Sequence, residues 1–271
     1  MSPTGRTSII RLDDGTAAFR KALTGAPEGF FAFEAAGLQA LAALGARVPR
    51  VFEVTADQLI LELIDTSGPA QTTTDTEAEF GQQLAQLHLA GQRSAVPGQQ
   101  FGTLDGVSHW FLGAVPIDLQ PASTLYESLV LNRILPLTQQ AIRTGLLAAE
   151  AAELVNAIRP HHLGPEEPPT VVHGDLWAGN RVIDAAGANW LVDPSCHWGH
   201  REQDIAMMHL FGGFGPAVMR HYEQIFPLAA GWQQRIPVFQ LVPLLVHVLL
   251  FGSGYAASTM RALQVTISDL S

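Results

Sequence analysis

The stretch from 168 to 195, "PPTVVHGDLWAGNRVIDAAGANWLVDPS", constrains the fold more than any other part of this chain. The sequence around it carries apolar residues at helical spacing; here the pattern switches to short apolar runs separated by turn residues. Val171 and Val172 form a short strand that runs into His173-Gly174-Asp175, and Asn180 follows on the same loop. Two short strands, 181–184 and 189–192, flank the turn at Ala186-Gly187, and the second ends in Asp193-Pro194. Two carboxylates and an amide therefore come from one loop and one strand end. These are hard oxygen donors of the kind that Mg2+ takes alongside substrate phosphates. A loop aspartate can also accept a proton from an attacking hydroxyl.

The rest of the chain arranges itself around that insertion. Residues 7–21 read as a hairpin about the Asp14-Gly15 turn, with Lys21 closing the second strand. Residues 28–45 read as a helix stopped by Gly45, and 48–64 as two more strands. A polar break at 65–75 divides the chain into a small unit, 1–64, and a larger helical one, 65–271. In the second unit, 76–91, 123–147 and 146–160 are helical, with Pro136 expected to kink or break the second of them. The fold class is therefore α+β.

Lys21 is the only lysine; the other fourteen basic side chains are arginines. A lysine is a compact point charge where arginine is a planar fork. The net charge of -10 speaks against nucleic acid or an anionic membrane as partner. The run 236–252 is apolar but carries Gln240, Pro243 and His247, so it reads as a buried helix and not a membrane span. A single cysteine, Cys196, and an N-terminus without an apolar core fit a cytoplasmic protein.

The order H-G-D-x-x-x-x-N, a hairpin, then D resembles the catalytic loop and metal-binding aspartate of the protein-kinase-like fold, in its small-molecule kinase branch. More narrowly, "HGDLWAGN", then "DPSCHWGHREQDIAMMHLFGGFG" and a later "GW", resemble the fructosamine kinase (ketosamine-3-kinase) family, over roughly residues 7 to 261. The resemblance implies a two-lobed fold with a β-rich N-lobe, and transfer of phosphate from ATP, with Mg2+, to O3 of a ketosamine such as a ribulosamine or fructosamine. The acceptor is a small amine-linked sugar or a glycated protein. The phosphorylated adduct falls apart and frees the amine, which makes the activity a repair.

By the same resemblance Lys21 meets the nucleotide phosphates and Glu34 holds Lys21. Glu62 and Leu63 are the hinge at the adenine. Asp175 is the base, Asn180 and Asp193 hold Mg2+, and Trp177 walls the substrate site. His173 braces the loop, and Asp204 is the buried acid that anchors it. Two departures from the family pattern stand out. The phosphate-covering loop expected before Thr7 is reduced to "SPTGRT", with Gly5 as a remnant, and in "FLGAVPIDLQ" (111–120) Ile117 and Leu119 replace polar residues near the sugar site. These leave two alternatives: a kinase of the same fold acting on an aminoglycoside, choline or an amino alcohol, or a non-catalytic nucleotide-binding protein.

Other features take plainer readings. Cys196, His197 and His200 in "CHWGH" lack the partner pair of a zinc site, and Cys196 is a small buried filler. "FGGFG" (211–215) follows a helix and is a helix-end turn. His88 and His247 are core residues, and His161 and His162 are surface ones.

Overall fold

The computed structural model describes residues 6–68, 72–104, 109–113 and 115–268. Gly5 lies outside the described residues, as does part of the 65–75 break. Four antiparallel strands form the N-terminal sheet in the order β1-β2-β4-β3: β1 is Arg6–Arg11, β2 Ala17–Ala22, β3 Val51–Val54 and β4 Gln58–Glu62. Side chains alternate across a strand. Phe19 and Lys21 of β2 therefore share the face of their partners Leu61 and Leu59, both buried. Helix α1 (Phe30–Ala43) covers that face with Phe31, Ala35 and Leu38. Glu34 falls on the same helical stripe, so packing alone brings it toward Lys21.

Helix α2 (Thr74–Ser94) opens the C-terminal region, with Thr73 and Thr76 closing a reciprocal cap at its start. A hairpin follows, β5 (His109–Leu112) with β6 (Val115–Asp118). Residues 127–134 form a wide π-helical stretch that runs directly into α3 (Leu135–Arg143). Pro136 therefore neither breaks nor ends the helix. It sits just where the π-helical stretch gives way to α3, and the widened turns before it give its ring room. Then come α4 (Glu150–Ala157), β7 (Thr170–Val172), β8 (Arg181–Ile183) and β9 (Asn189–Leu191). Strand β10 (His197–Gly199), which the sequence pattern does not predict, pairs with β7. Helices α5 (Glu202–Phe211), α6 (Pro216–Ile225), α7 (Trp232–Phe251) and α8 (Ala256–Ser268) complete the chain.

Two cores hold this region. One joins β6, the π-helical stretch, α3, α7 and α8 through Leu129, Ile134, Leu245 and Leu263. The other joins α2, α6, β7 and β9 through Phe80, Leu84, Val171 and Tyr222. By length and composition α7 could cross a membrane. Here half of it is buried in the protein, and its Arg235 forms a buried ion pair with Glu202 of α5 at 2.5 Å. His162 is buried, contrary to the surface expectation, because its Nδ1 accepts the Arg159 N–H at 2.7 Å and closes the turn after α4.

Candidate active site

Lys21 stands between two carboxylates. Its Nζ is 2.6 Å from Glu34 and also pairs with Asp193 across the cleft. Burial alone would lower the Lys21 pKa, but the two carboxylates outweigh it and the net shift is upward. Asp193 is the single non-glycine residue at positive φ (54°) among the described residues, a conformation aspartate tolerates better than most. That turn ends the segment after β9 with the carboxylate half-exposed toward the cleft.

The catalytic-loop candidate is tied down from behind. Asp204, buried on α5, accepts the N–H groups of His173 at 2.7 Å and Gly174 at 2.9 Å. His88 of α2 donates from Nε2 to the same carboxylate at 3.1 Å, and its Nδ1 takes the Tyr222 hydroxyl at 2.9 Å. Burial pushes Asp204 up, yet this set of donors overrides it and holds the carboxyl below its usual range. His173 is buried and kept neutral by burial. It donates from Nε2 to the Val192 carbonyl at 2.9 Å and accepts the Asp175 N–H on Nδ1 at 3.3 Å.

Gly174 is required where it stands. Its φ is 81°, and a Cβ there would lie 2.0 Å from the Ser195 carbonyl. Asp175 itself is pushed up to about 7 by burial, against the pull of the Asn180 amide. That amide donates to the Asp175 carbonyl at 2.8 Å and to its carboxylate at 3.1 Å. Asn180 therefore presents its Oδ1 as the atom available to a cation.

Asp175, Asp193, Lys21 and Glu34 all line one cavity of about 510 Å3. Trp177 is 41% exposed beside the loop and does not line that cavity. Glu62 and Leu63 also lie outside it. The Glu62 N–H is donated to the Arg50 carbonyl at 2.8 Å, and its carboxylate accepts the Arg50 N–H at 3.1 Å.

A family model for fructosamine kinase matches residues 6–269. The chain belongs to the fructosamine kinase family. It is 35% identical over 242 residues to a Thermus thermophilus protein assigned as a ketoamine kinase, covering 89% of this chain and 84% of that one. A shorter match, 47% identical, spans 35% of this chain and 35% of an Enterococcus faecium protein with the same assignment. The crystal structure of a Thermobifida fusca protein assigned as a fructosamine-3-kinase superposes with a TM-score of 0.86 at 36% identity, covering 97% of this chain and 90% of that one. The same fold extends to an amicoumacin kinase, at a TM-score of 0.58 and 14% identity, covering 100% of this chain and 87% of that one. These likenesses establish a protein-kinase-like α+β fold and a phosphotransferase family.

Within that family fold, the oxygen donors present suit a magnesium-nucleotide. Asp175 and Asp193 face one cavity, and Asn180 adds a neutral oxygen beside Asp175. Mg2+ takes one or two carboxylates plus phosphates and water, so it needs no larger protein cage. Among the described residues no group of three or more His, Cys, Asp or Glu side chains is arranged to hold a metal. Cys196 packs on Gly37. His200 stacks on Phe239, at 5.2 Å between ring centroids.

The family-deviant residues turn inward. Ile117 and Leu119 are buried in the core and do not line the cavity, whereas Gly113 does. Their replacement of polar residues therefore bears on the packing of this core.

One element of the site has no signature in the sequence. Arg133, fully buried, donates to His197 Nε2 at 3.0 Å, to the Ser128 hydroxyl at 3.2 Å and to the Asp118 carbonyl at 3.1 Å. Arginine has no acceptor, so Nε2 must accept, and the His197 proton sits on Nδ1. From there it is donated to the Ser195 carbonyl at 2.9 Å. Burial, helped by the arginine, pushes His197 down to about 3.

Proposed function

We propose that this chain transfers the terminal phosphoryl group of ATP to O3 of a ketosamine, in the repair of glycated amines. The observation that carries the reading is the single cluster of Lys21, Glu34, Asp193 and Asp175 in one cavity. A lysine held by a helix glutamate and facing an aspartate across the cleft is the arrangement a nucleotide triphosphate needs. The division between lobes falls at 64/65, and Glu62 and Leu63 mark the hinge.

Each residue then has a task. Lys21 holds the phosphates, and Glu34 keeps its ammonium aimed into the cleft. Asn180 and Asp193 would hold Mg2+, which when bound neutralises charge on the phosphates. Asp175 orients the acceptor hydroxyl and takes its proton as the oxygen attacks. His173 and Asp204 keep the loop rigid, and Trp177 borders the acceptor from the outside. The acceptor is a small amine-linked sugar or the same group on a protein, and the setting is cytoplasmic.

The test is ADP release by the purified protein with Mg-ATP and ribulose-lysine, fructose-lysine, an aminoglycoside panel or no acceptor. Release that depends on a ketosamine is expected. Release only with an aminoglycoside would move the acceptor to another class, and nucleotide binding without release under any condition would sink the enzymatic reading.

A further inference from the structure

The cavity that holds the two aspartates has, besides its polar lining from Lys21, Glu34, Arg6 and Thr7, a large apolar share. Away from Lys21 and Asp175 its walls are Phe30, Trp110, Phe111, Leu250 and Phe251. Trp110 is fixed in place: it stacks on Phe33 with centroids 4.0 Å apart and 12° between planes, and Phe30 lies 5.3 Å away. Phe251, at the last turn of α7, is 66% exposed. It is held at the lip by ring contacts with His247 at 5.4 Å and Tyr255 at 6.2 Å. His247 in turn is pinned to the Pro243 carbonyl at 2.6 Å. Phe251 is not an isolated exposed apolar residue, since Phe111 and Leu250 line the same cavity, and a grouped apolar surface of this kind marks a binding site.

This wall does not face the nucleotide hinge. Glu62 and Leu63 take no part in the cavity, which runs from Asp175 toward α7 and the β5–β6 hairpin. Whatever lies against it is therefore on the acceptor side of the reacting hydroxyl. One aromatic face is enough to stack on the C–H face of a sugar ring; a wall of five apolar side chains reaches past it, and sugar hydroxyls set against the remainder would lose water without finding partners. A ketosamine carries, besides its sugar, a protonated nitrogen with an organic substituent. Aromatic faces suit both parts, the cation by its attraction to the ring and the substituent by burial. The volume, about 510 Å3, is shared between the phosphates at Lys21 and the acceptor, and the apolar residues extend the lining beyond the Lys21–Asp175 cluster.

We propose that the wall of Phe30, Trp110, Phe111, Leu250 and Phe251 is a specificity subsite for the amine substituent of the acceptor, and that it selects ketosamines whose nitrogen carries an extended apolar or aromatic group. The inference rests on the ketosamine-kinase reading above. The sugar end lies at Asp175 and the substituent runs out along the aromatic wall to Phe251.

The test uses N-methyl and N-benzyl derivatives of one 1-amino-1-deoxyketose, with ADP release and calorimetric binding measured for the native protein, F251A and F111A. Phe251 is largely exposed, so its truncation leaves the core closed, and F111A gives an independent view of the same wall. The native protein is expected to favour the benzyl compound in kcat/KM by about tenfold or more, the scale of apolar discrimination in a pocket. In F251A and F111A that ratio is expected to fall toward one. Turnover of both compounds with a native ratio near one, or a ratio unchanged in both variants, would overturn the subsite and leave the ketosamine-kinase reading standing. If neither compound is turned over, ADP release with ribulose-lysine and fructose-lysine decides that reading, and calorimetry decides the subsite alone. Benzyl binding about tenfold tighter than methyl, lost in F251A, would support it, and equal or undetectable binding would overturn it.

Discussion

Asp175 and His197 show how far single residues can be read from chemistry. In the proposed mechanism Asp175 takes a proton, and its carboxylate is held by the Asn180 amide while Lys21 pairs with Glu34 and Asp193. D175N is therefore expected to lower kcat by about 10²–10⁴, the usual share of a general base, while ATP affinity stays within about twofold. Steady-state kinetics and calorimetry check this, and near-native turnover would remove Asp175 from its role. His197 acts one step further back, through the Ser195 carbonyl, two residues beyond Asp193. Asparagine can place its amide near the Nδ1 position and keep that donation; glutamine reaches the Nε2 position and loses it. H197N is expected to retain most of kcat, and H197Q to lose about tenfold or more, as removal of supporting hydrogen bonds around ligand residues does. Equal activity in the two variants, at equal melting temperature, would argue against a positioning role for this histidine.

At the scale of elements, close approach matters more than propensity. Helices α2 and α6 meet at Gly81, where an added Cβ would lie 2.2 Å from the Val218 carbonyl. Alanine is the better helix former by about 1 kcal/mol. The clash is with backbone, so G81A is nonetheless expected to lose about 1–3 kcal/mol. A chemical denaturation curve would show it as a lowered midpoint; an unchanged or raised midpoint would mean that α6 can slide aside.

The same distinction separates what was legible in the sequence from what was not. The N-terminal hairpin, α1 and the β8–β9 hairpin around Gly187 announce themselves because their partners are neighbours in the chain. Strand β10 does not, since its partner β7 lies upstream of the whole β8–β9 hairpin and "HWG" carries no alternation of its own. The β5–β6 hairpin did leave a signal: Val115, Ile117 and Leu119 alternate with Pro116 and Asp118, and the three apolar residues are all buried. Arg133 and the aromatic wall left none. Nothing in "LVLNRIL" separates an arginine buried behind the site from one on a solvated face, and Phe30, Trp110 and Phe251 converge only through the tertiary fold.

For the whole molecule, the burial of neutral histidines sets a direction for acid stability. His173, His197 and His200 are buried, and burial lowers all three, His197 to about 3 and His200 to about 4. In the unfolded chain each regains a pKa near 6.5. The unfolded state therefore binds more protons than the folded one once pH drops below about 6.5, and the stability present above that value is lost as pH falls toward 4. Each histidine that stays neutral contributes a slope of about 1.4 kcal/mol per pH unit in that window. Asp175, raised to about 7, works in the opposite sense, as do Glu34 and Glu202, which burial also raises, whereas His162 and His209, lowered by burial, add to the histidine side. Asp204 is held below its usual range, so its contribution is lost only at lower pH still. The net expectation is a urea midpoint clearly lower at pH 5.0 than at pH 7.5. H200Q removes one of the titrating groups and should flatten that fall even if it lowers stability at pH 7.5. A native midpoint that does not move between the two pH values would mean that these histidines accept protons inside the fold, and that the network behind the catalytic loop opens far more readily than its burial implies.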